Sequence, residues 1–264
     1  MLRFGLRKYW TTAALAATSV TGDSLWFLLD YLLRFLRVAV LLAVWRTILG
    51  GREPVAGMTL DAVLTYTLVA AVFADQLAVR TGLEHALWSG AIATRLLQPM
   101  GVVGHFVAEM VGGWLLGFAL FSAPLLLAAP LLGVNPLPAS APAGLLFVAS
   151  LALGVAVGVA LDFVFAALMV AFGWNVWDVE RLRAAASRVL SGSLVPLALL
   201  PWGLGEVFAW LPFAATAWAP LAIYTGTGDP SRLLALQAAW AAALWPLAQW
   251  LWRANRQKVV LYGG

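Results

Sequence analysis

The side chains able to do chemistry are few and scattered. The two histidines, His85 and His105, fall on different expected elements, and the acids inside apolar stretches are Asp75, Glu109 and Asp162, followed by Glu206 in a later run. No HExxH, GxSxG or P-loop pattern occurs, and no carboxylate pair stands at metal-ligand spacing. Cysteine is absent, which excludes disulfides, thiolate metal sites and thiol nucleophiles. The fragment Pro201-Trp202-Gly203-Leu204-Gly205 is turn punctuation and not a phosphate cradle. No catalytic residue, metal site or bound cofactor is therefore expected. A nucleotide-driven machine built on this chain needs its ATPase on another polypeptide. Ionisable groups in apolar spans are costly and face a bundle interior or a wet cavity. Glu109 and Asp162 thus read either as part of a translocation path or as polar packing, and Asp75 as an interfacial acid beside Arg80.

The elements that carry these residues are those of a membrane protein. Of 264 residues, 63% are hydrophobic and 11% charged, against about 25% charged in a soluble domain, so the chain cannot make a polar shell. At roughly 20 apolar residues per crossing, the expectation is an all-α polytopic protein of six spans. Residues 1–24 read as an interfacial helix, with Leu2, Leu6, Tyr9, Trp10 and Ala13 on one face and Arg3, Arg7 and Lys8 beside them. Spans are expected near Leu25 to Leu49, where Asp30 and Arg34 could pair, and Leu60 to Val79. The next two, Val102 to Leu132 and Gly144 to Trp174, carry GxxxG pairs at Gly113 and Gly117 and at Gly154 and Gly158, which could bring them together. The last is expected at Leu233 to Trp252. Most tryptophans fall at expected span ends, as an aromatic belt does.

The stretch Val189 to Thr225 carries a single charge, Glu206, and is broken by Pro196, Pro201, Pro212 and Pro220. It reads as a short span followed by a hairpin over 203–226 that dips into the membrane and returns to the side it came from. Such backbone survives at membrane depth only when packed against protein or lining a cavity. Charge fixes the orientation. With six spans, Arg3, Arg7, Lys8, Arg80, Arg95, Arg181, Arg183, Arg188, Arg253, Arg256 and Lys258 share one side, against Arg46, Arg52 and Arg232 on the other. The positive-inside bias places both termini in the cytoplasm. The net charge of +4 is thus explained by topology, without nucleic acid.

This order of elements resembles the ABC-2 type permeases of bacterial ABC exporters, in the small single-domain branch. Ser89 to Gly101 (SGAIATRLLQPMG) looks like the coupling-helix stretch, with Gly90, Leu96 and Pro99 in place. Leu190 to Pro201 resembles the fifth-span pattern through Gly192, Pro196, Leu197 and Pro201, and Leu211 to Gly226 the approach to the sixth. Gln98 departs from the arginine common before that proline. The resemblance covers the whole chain, 1–264, as one transmembrane domain. It implies half of a permease pair, a second copy or a related chain, in the inner membrane among lipids, driven by cytoplasmic ABC ATPase subunits that bind ATP and Mg. The coupling region would be 80–99, with Gly90, Arg95, Leu96, Leu97 and Pro99 at the ATPase contact. Pro196, Leu197, Pro201, Glu206 and Phe213 would lie in the re-entrant segment. The cargo expected from an apolar path is hydrophobic or amphipathic, moved outward. A secondary transporter of small hydrophobic solutes is the alternative, but such proteins usually show internal repeats, and none is found.

Overall fold

The computed structural model describes residues 2–19, 24–98, 101–255 and Lys258. Helices α1 (Leu2–Ser19) and α2 (Ser24–Leu49) lead to α3 (Leu60–Val72) and the single turn α4 (Ala74–Leu77). The short α5 (Leu83–Trp88) and α6 (Ile92–Leu96) connect to α7 (Val102–Gly117), which continues through a π-helical turn, Phe118–Ser122, into α8 (Ala123–Ala128). After a loop come α9 (Ala141–Phe172) and α10 (Val176–Leu190). Three short helices follow, α11 (Leu204–Ala209), α12 (Pro212–Thr216) and α13 (Trp218–Tyr224), and then α14 (Pro230–Ala254). Among the described residues the only β-type contact is an isolated bridge between Val55 and Met58.

Among the described residues two helical stretches are long and apolar enough to cross a membrane, Val102–Ala128 with 27 residues and Ala141–Phe172 with 32. At about 1.5 Å per residue each exceeds the roughly 30 Å hydrocarbon core. The ends of α9 are written locally. The Ser140 hydroxyl accepts from Ala143 N–H at 3.2 Å, and Gly173 closes the helix in the left-handed region at φ 65°.

Side-chain pairs fix the direction of each helix. Between α9 and α14, Ser150 meets Gln237 and Phe163 meets Trp252, so the two run parallel. The α3–α4 arm runs with them, because Phe73 packs on Phe147, Val79 on Gly158 and Thr81 on Asp162. α2 instead follows α7–α8: Tyr31 and Phe35 pack on Phe121, and Arg46 donates to the carbonyls of Leu132 and Gly133. Residues 173–229 join two parallel helices and must therefore return the length of the bundle. One end collects Arg80, Arg95, Arg181, Arg253 and Lys258, whose ammonium donates to the Ala171 carbonyl at 2.8 Å. The opposite end gathers the loop 130–140, where Thr65 donates to the Asn135 carbonyl and Ala139 N–H to that of Tyr224.

Several expectations change. α1 packs along α7, with Tyr9 against Gly104 and the Ala13 backbone against Gly112, where a Cβ would collide with it. Trp10 is 69% exposed, so it does not share that packed face. The GxxxG pairs do not join α7 to α9. Gly113 meets nothing, Gly117 lies near Asp75, Gly154 meets the carbonyls of Ala215 and Thr216, and Gly158 takes Val79. Asp75 stands 3.9 Å from Arg34 rather than beside Arg80, while the Asp30 side chain lies outside the described residues. The second expected span breaks at Phe73. The Val72 carbonyl receives the Ser122 hydroxyl at 2.6 Å from the π-turn, so the break leaves no orphan acceptor there.

The largest change is in 189–225, where no short continuous span forms. α10 ends at Leu190, and Ser191–Pro196 has no regular structure. Its freed groups are satisfied from outside: Tyr66 donates to the Gly192 carbonyl at 2.7 Å, and Trp218 N–H to that of Ser191 at 2.9 Å. Gly192 sits at φ 75°, a conformation β-carbons disfavour. Past Trp210, which faces Arg232, the chain turns inward to Phe213 beside Phe165. It then comes back to Tyr224 beside Phe147. The break between α12 and α13 is held by buried Gln237, whose amide donates to the carbonyls of Ala215 at 2.7 Å and Ser150 at 2.9 Å.

Candidate functional site

The basic end holds the features that set this chain apart from an inert apolar bundle. The expected coupling region holds α5 (Leu83–Trp88) and α6 (Ile92–Leu96), separated by Gly90 at φ 75°. One face of the pair is fully buried through Leu83, Leu87 and Ile92, packed with Met169 and Val170 of α9 and Val176 and Val179 of α10. The other face is open, with Trp88 50% and Leu97 86% exposed. His85, Trp88 and Trp177 make a mutual ring cluster there, with centroids 5.6 to 6.4 Å apart.

Two ionic clusters, the first buried and the second half-buried, tie this segment to the long helices. In the first, Asp162 of α9 is 1% exposed and pairs with the guanidinium of Arg183 from α10. Its other oxygen accepts from Thr81 N–H at 3.1 Å and from the Thr81 hydroxyl. Arg183 also reaches Glu84 of α5 at 3.3 Å. Burial pushes the Glu84 carboxyl above its ordinary range, against the opposing pull of Arg183. A buried charge is tolerated only when paired; here Asp162, Arg183 and Glu84 pair across α9, α10 and α5, while one Glu84 oxygen has no hydrogen-bond partner. In the second cluster Glu109 of α7 accepts from Arg95 of α6 at 3.2 Å on both oxygens and stands 3.1 Å from His105 Nε2. The Arg95 guanidinium also lies over the Phe106 ring, 5.0 Å from its centroid.

Glu109 and Asp162 thus anchor the α5–α6 segment to α7, α9 and α10 through polar contacts. Arg95 turns inward to Glu109, while Leu97 faces outward. The side chain of Leu96, and Pro99, lie outside the described residues. In the later segment Pro196 and Leu197 are buried, Phe213 is half-buried, and Pro201 and Glu206 are exposed. These five do not join the basic-end clusters. Sequence reasoning missed Thr81, Glu84, Arg183 and Gln237. A signal existed for two of them: Glu84 falls between buried Leu83 and Leu87, and Arg183 stands four residues after Val179 on the packed face of α10. Among the described residues no group of three or more His, Asp or Glu side chains is placed to hold a metal ion.

Residues 35–260 match the family described as ABC-2 family transporter protein. The chain belongs to that family. The match takes in both ionic clusters, the 80–99 segment and the broken region, and it starts inside α2, so α1 precedes it. The family is that of the membrane domains of ABC transporters, so the chain is an ABC-type permease, a context that includes ATPase partners. No curated protein matches the chain.

Proposed function

We propose that this chain is the permease subunit of an ATP-driven exporter, paired with a second copy or a related permease and driven by separate ATPase chains that bind ATP and Mg. On this reading the basic end faces the cytoplasm of a cell with the chain in its inner membrane. Six crossings leave both termini on that side. The fifth crossing is built from α10 and the short helices after it, and 203–226 is a re-entrant hairpin at the external end. The alternating helix directions and the inward excursion at Phe213 support this topology. The cargo is hydrophobic or amphipathic, and no catalytic step belongs to this chain.

The observation that carries the reading is the asymmetry of α5–α6, whose inner face is locked by ions while Trp88, Leu97 and Gln98 stand outward. A short element held rigidly to three long helices can pass a movement of a docked ATPase to the bundle as a rigid body. Leu97→Asp tests it, because Leu97 makes little use of the chain's own core. A docked leucine contributes about 1.5–3 kcal/mol, so the variant should insert normally, lose the co-purifying ATPase and abolish cargo-stimulated ATP hydrolysis. Full retention of the ATPase on Leu97→Asp would remove 80–99 as the docking element.

A further inference from the structure

We infer that the exposed face of α10 lines a water-filled path and binds the anionic head of an amphiphilic cargo through Arg188. The head is a carboxylate, sulfate or phosphate, and the tail is apolar. This deepens the permease reading and depends on it, because α10 there forms the inner part of the fifth crossing.

α10 carries five charged residues, Asp178, Glu180, Arg181, Arg183 and Arg188, where α7 and α9 carry one apiece, Glu109 and Asp162. Four of the five have company. Arg183 turns inward to Asp162 and Glu84, and half-buried Glu180 lies close enough to Glu84 to act on its charge. Arg181 stands 3.8 Å from Asp178 in the first turns of the helix, where both are exposed. Arg188 is also exposed, and among the described residues no carboxylate or carbonyl meets its guanidinium.

Depth decides what that charge can meet. Arg188 stands about 18 Å along the helix from Val176, where α10 starts at the basic end. Trp177 marks that end through its ring contacts with His85 and Trp88. Just past Arg188, the Gly192 carbonyl receives the hydroxyl of Tyr66, which lies inside the external start of α3 at Leu60. Arg188 is thus within the apolar layer, too far from either end to snorkel to an interface. A guanidinium at such depth faces a wet cavity and not lipid. A second copy meeting this edge at a two-fold axis would set like charges together, which repel.

The exposed face has two edges. Arg181 and Arg188 are seven residues apart and stack about two turns from each other on one edge. Leu182 and Val189, 56% and 61% exposed, stack in the same way about 100° round the helix. A neutral or cationic amphiphile would use only the apolar edge. An anionic one uses both, and a guanidinium donates paired N–H bonds to a carboxylate or phosphate. Beyond Val189 the face closes, because Ser191 and Gly192 are buried and their carbonyls are taken by Trp218 and Tyr66.

The test uses the full chain, which has no cysteine, with Val189→Cys introduced and the protein held in phosphatidylcholine nanodiscs. N-ethylmaleimide should label this thiol, since a thiolate forms only where water reaches it. Decanoate should slow the labelling, whereas decanol and decyltrimethylammonium at the same concentration should not. Adding Arg188→Gln should raise the decanoate concentration for half-protection about tenfold, as loss of a hydrogen bond to a charged group does. Arg188→Lys should retain most of the protection, and Arg181→Gln should weaken it less than Arg188→Gln; unchanged elution volume and helicity certify each fold. A thiol that never labels would place the face against lipid and overturn the path. Equal protection by decanol, or full protection in folded Arg188→Gln, would overturn the anionic head. Protection by phosphatidylglycerol in the nanodisc, without decanoate, would assign the edge to a bilayer lipid and overturn the cargo. No ATPase enters these readouts, so their failure with the ATPase still docked at α5–α6 would strike the cargo class and leave the permease reading standing.

Discussion

The basic-end joint and the broken segment 191–217 solve one problem in different ways. Both place polar groups deep inside an apolar bundle. At the joint they are side-chain charges, Asp162, Arg183 and Glu84, matched to one another across α5, α9 and α10. In the broken segment they are backbone carbonyls, matched by neutral donors from Tyr66, Gln237 and Trp218. Neutral matches let a chain bend where it must at modest energy. An ionic match punishes any separation of its partners, since each would be left as an uncompensated charge. The difference teaches where stiffness is placed: at the end proposed to meet the ATPase the elements are locked together, and in the return segment the backbone is only kept satisfied.

That contrast breaks most sharply at Asp162. Asp162→Leu should leave Arg183 with Glu84 as its one remaining ion partner and cost about 3–5 kcal/mol, seen as a large fall in the detergent melting temperature. Arg183→Leu should lower it likewise. The double variant should melt well above the level that additivity of the two single losses gives. Additive losses would mean that the two groups do not act as a pair.

The neutral counterpart should give a smaller effect. Gln237→Leu keeps the volume and removes the donor to Ala215 and Ser150, so about 1–3 kcal/mol should be lost. Increased backbone hydrogen exchange should be confined to α12–α13 and the adjoining α9. An effect as large as that of Asp162→Leu would erase the distinction between the two regions.

The smallest effect should come at the α3 break. Ser122→Ala removes the hydroxyl from the Val72 carbonyl and should cost about 1 kcal/mol, with faster exchange at residues 73–77. No change in exchange there would show that the carbonyl has another partner.

How much of this was legible in the sequence depends on the range of the interaction. Composition gave the membrane class, and the apolar runs gave α7–α8, α9 and α14 to within a few residues at most ends, because a long helix is set by its own residues and caps. The sorting of Arg80, Arg253 and Lys258 to one end was also local, since each follows a stretch that must cross. The α3 break at Phe73 was not legible, since no proline or glycine marks it and the Val72 carbonyl before it is answered by Ser122, fifty residues later. The GxxxG spacing was visible, but the partner of a glycine face is chosen by whichever element the whole bundle brings to it.

The sequence by itself determined that this chain is built of apolar helices and that its basic residues gather at one end. These follow from hydrophobicity, charge bias and residue inventory, which do not depend on contacts. Only the tertiary structure decided which groups Glu109 and Asp162 meet. A lone acid in an apolar helix is costly anywhere, but its role depends on which cation reaches it. Arg95 stands fourteen residues from Glu109, and the Asp162 partners Thr81 and Arg183 come from opposite directions along the chain. Buried charge selects partners by distance in space, through a Coulomb term that a low dielectric magnifies, and sequence separation does not carry that distance.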